Sequence, residues 1–337
     1  MRLVFAFIVV TTCLFAKTDK TPKEFIISGT AQGTTYSLRY YAQDGIITKH
    51  QVDSILDVID SSLSIYKPYS LINKFNQSTT GIRIDKHFVN VVNASLKTYN
   101  ATNGAFDITV APLVEAWGFA TKHIDKVPDS MQIITLRSCV SSDNLLLVGD
   151  SLVKKKPCVK IDVNGIAQGY SVDVVAAFIE QHNVKNYLFE LGGEIRVSGR
   201  KLPSGELMKI GIESPGDDEM EPGIMQTVLQ VDEGAVTTSG NYRKYYESEA
   251  KKITHLIDPA TGYSIQNEMI SATVYAKDAV TADAYDNALM VMGLQKALHF
   301  VANNKDIAAY FIYRKNDGSV ADTATASFYS LLKNKHK

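Results

Sequence analysis

Several common functional signals are missing from this sequence. It has no G-x-S-x-G nucleophile elbow, no Walker loop and no H-E-x-x-H zinc motif. The formal net charge is -1, which argues against a dedicated nucleic-acid surface and leaves small anionic ligands to local sites. There is no fixed-period repeat and no low-complexity tract. With 337 residues, 45% of them apolar, the chain is globular and forms one large domain or two of ordinary size.

Long apolar runs are also missing after the N-terminus. Arg2 and the apolar residues 3–16 predict an export signal that is too short to span a bilayer comfortably, cleaved after Ala16. Cys13 leaves a minority alternative, a lipoprotein at the inner membrane, although the Thr-Thr before it is a poor lipid-attachment box. The predicted organisation is a signal peptide (residues 1–16), a linker (17–24) and one domain (25–334).

Only two cysteines would remain after cleavage, Cys139 and Cys158. They flank residues 145–153, which we expect to form a hairpin around Gly149-Asp150. Export would place them in an oxidising compartment, where disulfides persist. A bridge and two separate buried thiols are about equally favoured, and the spacing matches no metal-binding knuckle.

Apolar periodicity and turn residues predict a mixed set of elements. Helices are predicted at residues 52–63, 88–102, 130–137 and 281–301. Strands are predicted at residues 25–41 (as a pair), 159–163, 186–191, 195–198, 208–213, 227–231, 252–258, 270–276 and 308–313, with 252–258 and 270–276 as a hairpin. An exposed loop is predicted at 214–223. Because the order is not a strict βαβ alternation, the predicted class is α+β, with mixed sheets and packed helices.

Residues 160–173 are the first stretch with chemical interest. We expect a strand to end at Asn164-Gly165 and a helix to follow, and bare N–H groups at a helix start suit phosphates. Asp162 lies in the strand, and Gln168 and Gly169 open the helix. On these residues alone, an ordinary strand-to-helix connection is the stronger interpretation.

The helix that follows residue 281 carries the second stretch. We expect it to begin at Thr281 or Asp283. Asp283, Asp286 and Asn287 stand at i, i+3 and i+4 and share one face. The apolar residues that follow predict a buried helix, and buried oxygen ligands suit Mg²⁺. The alternative, about equally favoured, is that the acids complement the helix dipole in a solvated first turn.

Four other features are weaker when taken singly. His255 precedes a turn, where packed or surface histidines are common. Residues 237–240, read as a corner after a strand, offer hydroxyls and N–H groups to an anion, although a plain turn is favoured. Phe106-Asp107 and Tyr66 are suited to stacking on a flat ring, although such aromatics usually belong to a core.

Together these stretches resemble the ApbE family of FAD:protein FMN transferases. The resemblance runs along nearly the whole chain after the signal peptide and rests on seven ordered motifs. They are residues 33–36; Tyr66, Pro68 and Ser70; residues 104–109 with 117–119; residues 160–173; residues 191–195; residues 238–240 with 255–262; and residues 282–284.

The resemblance implies an ApbE-like, T-fold-like architecture with the FAD site in a cleft between two halves. It implies an exported periplasmic enzyme that binds FAD and Mg²⁺ and moves FMN through a phosphodiester bond onto a Ser or Thr of an acceptor flavoprotein subunit or domain, releasing AMP. Positions that match the family's flavin-nucleotide contacts are Gln32, Tyr66, Ala105, Phe106, Asp107, Asp162, Gln168 and Ile257. Positions that match its metal ligands are Asp283, Asp286, Asn287 and the carbonyl of Gly165.

Three of these positions depart from the commonest family pattern, namely Gln32, Gln168 and Asn287. For the acceptor's proton, His255 is the first candidate base, because histidine titrates near neutrality. Asp283 or Asp286 is the alternative. An Mg²⁺-dependent FAD pyrophosphatase and a non-catalytic FAD-binding protein are the competing functions, and the sequence does not name the acceptor protein.

Overall fold

The computed structural model describes residues 21–119, 127–213, 225–241, 245–248 and 251–333. The predicted signal peptide, Cys13 and the whole 214–223 loop lie outside these residues. Within them the strands are β1 Lys23–Ala31, β2 Thr34–Ala42, β3 Gly81–Arg83, β4 Leu145–Val148, β5 Ser151–Lys154, β6 Tyr187–Leu191, β7 Glu194–Ser198, β8 Met208–Glu213, β9 Met225–Val231, β10 Glu233–Gly240, β11 Tyr245–Ser248, β12 Lys251–Thr254, β13 Met269–Ala276, β14 Ile307–Arg314 and β15 Val320–Ala324. The α-helices are α1 Lys49–Leu63, α2 Leu71–Gln77, α3 Lys86–Ala101, α4 Ala111–Ala116, α5 Ser130–Arg137, α6 Ala167–Gln181, α7 Ala279–Met292, α8 Leu294–Ala302 and α9 Ala326–Lys333. The predicted α+β class is confirmed.

An eight-stranded antiparallel sheet forms the centre of the protein, in the order β1-β2-β6-β7-β10-β13-β14-β15. Alternate residues of a strand point to opposite faces. On β14, Ile307, Ala309 and Phe311 pack with α7 and α8, whereas Tyr310 and Ile312 pack with the β8–β9 hairpin and α9. Helices α1 and α6 cover the β2–β6 end of the first face.

Two further clusters complete the fold. In the first, α2, α3 and the sheet β3-β5-β4 pack with residues 159–166 and with Ala284 and Ala288 of α7. The second, the Trp117 cluster, consists of Leu113, Trp117, Ile133, Ile253 and Ile257. Helix α7 therefore stands between the central sheet and the α2–α3 lobe.

Local signals in the sequence account for many element boundaries. Thr48 and Gln51 form a capping box at the start of α1. Shortly after α3, Asn103 and Gly104 adopt left-handed conformations, with φ of 51° and 81°, which are typical of a helix end. The predicted 145–153 hairpin is confirmed as β4 and β5. Cys139 and Cys158 form a disulfide with a Cα–Cα distance of 5.7 Å.

The predicted strand at residues 159–163 is wrong, because this segment is extended without joining a sheet. Its backbone is satisfied by single partners. The amide of Asn76 donates to the Ile161 carbonyl and accepts from its N–H, at 2.9 and 2.8 Å. The Asp162 N–H donates to the Ile108 carbonyl at 2.8 Å. A side chain and a loop therefore take the place of a neighbouring strand.

The single helix predicted at residues 281–301 is also wrong. Asp278 caps the start of α7, and Gly293, with φ of 72°, separates α7 from α8. A glycine tolerates this left-handed conformation, which ends one helix and redirects the chain into the next. The predicted start at Thr281 or Asp283 was therefore too late.

Two predictions about strand neighbours fail. The 252–258 segment does not pair with 270–276, since β12 pairs with β11 and β13 lies between β10 and β14. The predicted corner at residues 237–240 is wrong, because these residues form the second half of strand β10. In the described part of the chain, no helix is long and apolar enough to cross a membrane.

Candidate functional site

Helices α6 and α7 approach each other closely at Gly169. A Cβ atom at this position would lie 2.4 Å from the Ala279 carbonyl oxygen and 2.7 Å from the Asp283 Cβ. Real Cβ atoms do not approach that closely, so the packing requires glycine. The Gly169 N–H donates to Asp283 Oδ2 at 2.8 Å. The start of α6 therefore fixes the position of one predicted metal ligand.

Three of the four predicted metal ligands come together at the Asn287 amide, while the fourth, the Asp283 carboxylate, accepts the Gly169 N–H. Asn287 Nδ2 donates to Asp283 O and to Asp286 Oδ1, both at 2.9 Å, and to Gly165 O at 3.4 Å. Asn287 Oδ1 accepts from the Ser239 hydroxyl at 3.3 Å. We call Gly165 O, the Asp283 and Asp286 carboxylates and Asn287 the oxygen cluster. The predicted i, i+3, i+4 face is confirmed.

The donor set of the oxygen cluster fits Mg²⁺. Three oxygens, the main-chain carbonyls of Gly165 and Asp283 and Oδ1 of Asp286, converge on an NH₂ group, the part of an amide that carries positive partial charge. Carboxylate, carbonyl and amide oxygens are ligands that Mg²⁺ takes. A half-turn of the Asn287 amide would present its oxygen to the same place. Among the described residues, no group of three or more His, Cys, Asp or Glu side chains is arranged for a metal. The candidate therefore depends on two carboxylates, an amide and a carbonyl.

The two carboxylates are deeply buried. Asp283 is 4% exposed and Asp286 is 1% exposed, so the alternative of a solvated first turn is wrong. Burial raises the pKa of Asp283 to about 7, with Asp173 adding a smaller repulsion. Burial, followed by the charge of Asp283, raises the pKa of Asp286 well above its ordinary value. In the described ranges neither carboxylate forms an ion pair with Lys or Arg, so a bound cation would relieve a real electrostatic cost.

The 104–109 segment is held beside this region by Asp107. Asp107 Oδ1 accepts from the Thr109 N–H, the Thr109 hydroxyl and the Ser142 hydroxyl, at 2.6 to 2.8 Å, and Oδ2 accepts from the Ser142 N–H at 3.1 Å. Burial raises the pKa of Asp107. Four protein donors make this side chain a structural cap. Phe106 is buried, and Ala105 is half-buried against the same core. Their contact with the flavin nucleotide stays a prediction.

Residues 160–173 connect several of the other predicted contacts. Tyr66 is 54% exposed, and its pKa is raised by burial and then by the neighbouring charge of Asp162. Gln32 donates to the Ser171 hydroxyl of α6 at 2.8 Å. Gln168 lies over the β6–β7 turn, where a Cβ on Gly192 would be 2.7 Å from its Nε2. Asp162, Gln168 and the Gly165 carbonyl thus lie on one continuous segment.

Ile257 belongs to the neighbouring Trp117 cluster, and His255 lies beside it. Ile257 is buried in it. His255 is half-buried, and its ring packs edge-on against Phe119 with the centroids 6.3 Å apart. The Trp117 Nε1–H donates to the Gly262 carbonyl at 2.8 Å and fixes the turn that follows Ile257. Their roles toward a ligand stay predictions.

Two residues of the site had no role assigned from the sequence. Glu194, 8% exposed on β7, contributes to the raised pKa of Asp286. Its sequence signal was a carboxylate directly after the Gly192-Gly193 turn. Ser142, which holds Asp107, is 35 residues away from it, and no local pattern in the sequence joins the two.

This chain is similar to known proteins along nearly its whole length. A family model described as the ApbE family matches residues 32–311. A FAD:protein FMN transferase from Vibrio cholerae is 33% identical over 326 residues, covering 95% of this chain and 96% of the relative. A FAD:protein FMN transferase from Haemophilus influenzae is 35% identical over 343 residues, covering 96% of this chain and 97% of the relative.

Solved structures give the same result. Flavin transferase ApbE from Vibrio cholerae superposes with a TM-score of 0.82 at 31% identity, covering 92% of this chain and 100% of the other. The apo form of the Pseudomonas stutzeri flavinyl transferase ApbE gives a TM-score of 0.83 at 31% identity, covering 93% of this chain and 98% of the other. These likenesses confirm the expected architecture and the resemblance stated from the sequence. The chain belongs to the ApbE family.

Proposed function

We propose that this chain is a Mg²⁺-dependent FAD:protein FMN transferase that moves FMN from FAD onto a Ser or Thr hydroxyl of an exported acceptor flavoprotein and releases AMP. The observation that carries the proposal is the oxygen cluster, where Gly165, Asp286 and Asn287 meet beside the nucleotide stretch 160–173. Relatives that align along nearly the whole chain are named FAD:protein FMN transferase, which supports the transfer of FMN from FAD to a protein. The export signal and the acceptor's class, a flavoprotein with a Ser or Thr site, belong to the proposal as expectations from the sequence.

The oxygen cluster would hold Mg²⁺. When bound, the ion supplies positive charge against the charge that builds on the pyrophosphate oxygens during transfer. The chain's own contribution is to keep the ligands fixed and mostly dry. Gly169 holds Asp283 through its N–H, and Ser239 orients the Asn287 amide. Apart from the half-turn of the Asn287 amide, ligands held in this way need little rearrangement.

The transfer exchanges one P–O bond for another. The acceptor hydroxyl oxygen bonds to the FMN-side phosphorus, the bond from that phosphorus to the bridging oxygen breaks, and AMP leaves with that oxygen. The hydroxyl proton passes to a base, for which His255 remains the first candidate. His255 is half-buried and can return the proton to water, whereas Asp283 and Asp286 are almost fully enclosed.

One assay separates the proposed function from its two alternatives. The chain from residue 17 onward is mixed with FAD, Mg²⁺ and a periplasmic flavoprotein domain that carries an acceptor Thr, and the domain is examined by mass spectrometry. Covalent FMN on the Thr supports transfer. Free FMN and AMP with an unmodified domain indicate a pyrophosphatase, and intact FAD bound one to one indicates a storage protein.

The metal assignment is tested with Asp283→Ala. We expect transfer to fall by at least about 100-fold, because a ligand and its held geometry are lost. Asp317→Ala is the control, since this carboxylate is in an exposed turn and bonds only Ser319 in that turn. Mg²⁺ should raise the melting temperature of the control but not of Asp283→Ala. Unchanged transfer by Asp283→Ala would remove the oxygen cluster from the mechanism.

A further inference from the structure

The Cys139–Cys158 disulfide joins two parts of the molecule that carry different predicted site residues. Cys139 follows α5, whose Ile133 packs in the Trp117 cluster with Ile257. Cys158 directly precedes Val159, which is buried in the α2–α3 lobe. The bond therefore connects the His255–Ile257 region to the start of the nucleotide stretch.

Both ends of the disulfide-closed loop also hold the 107–109 turn. Three residues after Cys139, Ser142 donates to Asp107 through its N–H and its hydroxyl. Four residues after Cys158, the Asp162 N–H donates to the Ile108 carbonyl at 2.8 Å. The turn is thus held from both sides by the two segments that the disulfide ties together.

The rest of the loop has its own support. The β4–β5 hairpin pairs Leu145 with Lys154, and β5 also pairs with β3. Lys156 Nζ donates to the Ser138 carbonyl at 2.8 Å next to the bridge. We expect the fold to survive loss of the disulfide, with the loosening concentrated in residues 139–142 and 158–162.

We propose that the Cys139–Cys158 disulfide is a positioning element for flavin binding. It holds the 107–109 turn, the nucleotide stretch and the His255–Ile257 region in their binding arrangement. The inference rests on the proposed function, because it takes FAD as the ligand. Without the bridge, the binding arrangement is populated for only part of the time, and the apparent dissociation constant rises by the inverse of that fraction. We expect a rise of about 3- to 10-fold in the Kd for FAD.

The test measures FAD binding by flavin fluorescence, well below the melting temperature, for wild type, Cys139→Ser/Cys158→Ser and wild type treated with dithiothreitol. Cys158 is exposed, so the reagent has access. Dithiothreitol gives two electrons and two protons to the S–S bond, leaving two thiols and its own cyclic disulfide. The double variant and the reduced wild type should bind FAD with the same raised Kd. Dithiothreitol should not change the Kd of the double variant further.

Phe328→Leu is the matched control for general destabilisation. Phe328 is fully buried in α9, on the opposite face of the central sheet. Its FAD affinity should equal that of wild type although its melting temperature falls. A double variant within twofold of wild type, or an equal loss in Phe328→Leu, overturns the positioning role alone. Wild type that binds no FAD overturns the proposed function, and this inference with it.

Discussion

Replacing Gly169 with alanine tests whether helix packing and the candidate metal site depend on the same contact. The new Cβ would lie 2.4 Å from the Ala279 carbonyl oxygen and 2.7 Å from the Asp283 Cβ. An ordinary contact needs about 1 Å more than the shorter of these, so α6 and α7 must separate or Asp283 must move. Either movement lengthens the 2.8 Å hydrogen bond from the Gly169 N–H to Asp283.

The expected loss of stability combines three effects of Gly169→Ala. Alanine favours a helix over glycine by about 1 kcal/mol. Overpacking a close contact costs about 1–3 kcal/mol, and a hydrogen bond to a charged group contributes about 1.5–3 kcal/mol. The free energy of unfolding should therefore fall by about 1.5–5 kcal/mol.

Urea unfolding of wild type and Gly169→Ala, each with and without Mg²⁺, measures both consequences. We expect the variant to lose stability and most of its stabilisation by Mg²⁺. Gly149→Ala is the control, because Gly149 has φ of 61° and no neighbouring atom within 4 Å of its Cβ position. It should lose about 1–2 kcal/mol through backbone strain and keep its response to Mg²⁺. If Gly169→Ala is instead about 1 kcal/mol more stable, as helix propensity alone predicts, the close approach has no structural importance.

Two further predictions follow from buried groups outside the oxygen cluster. Burial raises the pKa of Asp173 from 3.8 to about 6, so its contribution to stability is complete below 3.8 and is lost as the pH rises through about 6. From pH 4 to 7, wild type should lose up to about 3 kcal/mol more than Asp173→Asn, and parallel urea-unfolding stabilities across this range would contradict the assignment. Trp117→Phe removes the donor to the Gly262 carbonyl and part of a buried ring, so it should lower the free energy of unfolding by about 1–3 kcal/mol; an unchanged urea midpoint and slope would show that the turn is held by other contacts.

Local features of the fold were predictable because their causes lie within a few residues. The start of α5 follows from Asp129, which forms a capping box with Gln132. The end of α3 follows from Asn103-Gly104, which adopts a conformation unfavourable for most other residues. In each case the stabilising partner is a neighbour in sequence.

Features that depend on distant partners were mispredicted. Residues 159–163 alternate apolar with charged side chains, as in a strand, but their backbone partners are Asn76 and Ile108. The sequence around residue 161 does not indicate that the Asn76 amide, 85 residues away, takes the place of a neighbouring strand. The pairing of β13 with β10 and β14, rather than with residues 252–258, is decided in the same way by the whole sheet.

The candidate metal site lies between these two cases. The face shared by Asp283 and Asn287 is a helical spacing of four residues, which sequence reasoning finds. The residues that face them, Gly165 and Gly169, are also four apart. Gly165 contacts Asn287, and Gly169 contacts Asp283. Neither pair indicates the other, because two glycines alone suggest a turn and two polar residues alone suggest a solvated helix start. The two segments run in opposite directions, so that each glycine meets one polar residue of α7. This contact makes glycine necessary on the 165–169 segment and buries an oxygen ligand on α7. Helix packing and ligand placement are therefore one requirement, and a side chain at Gly165 or Gly169 acts on both at once.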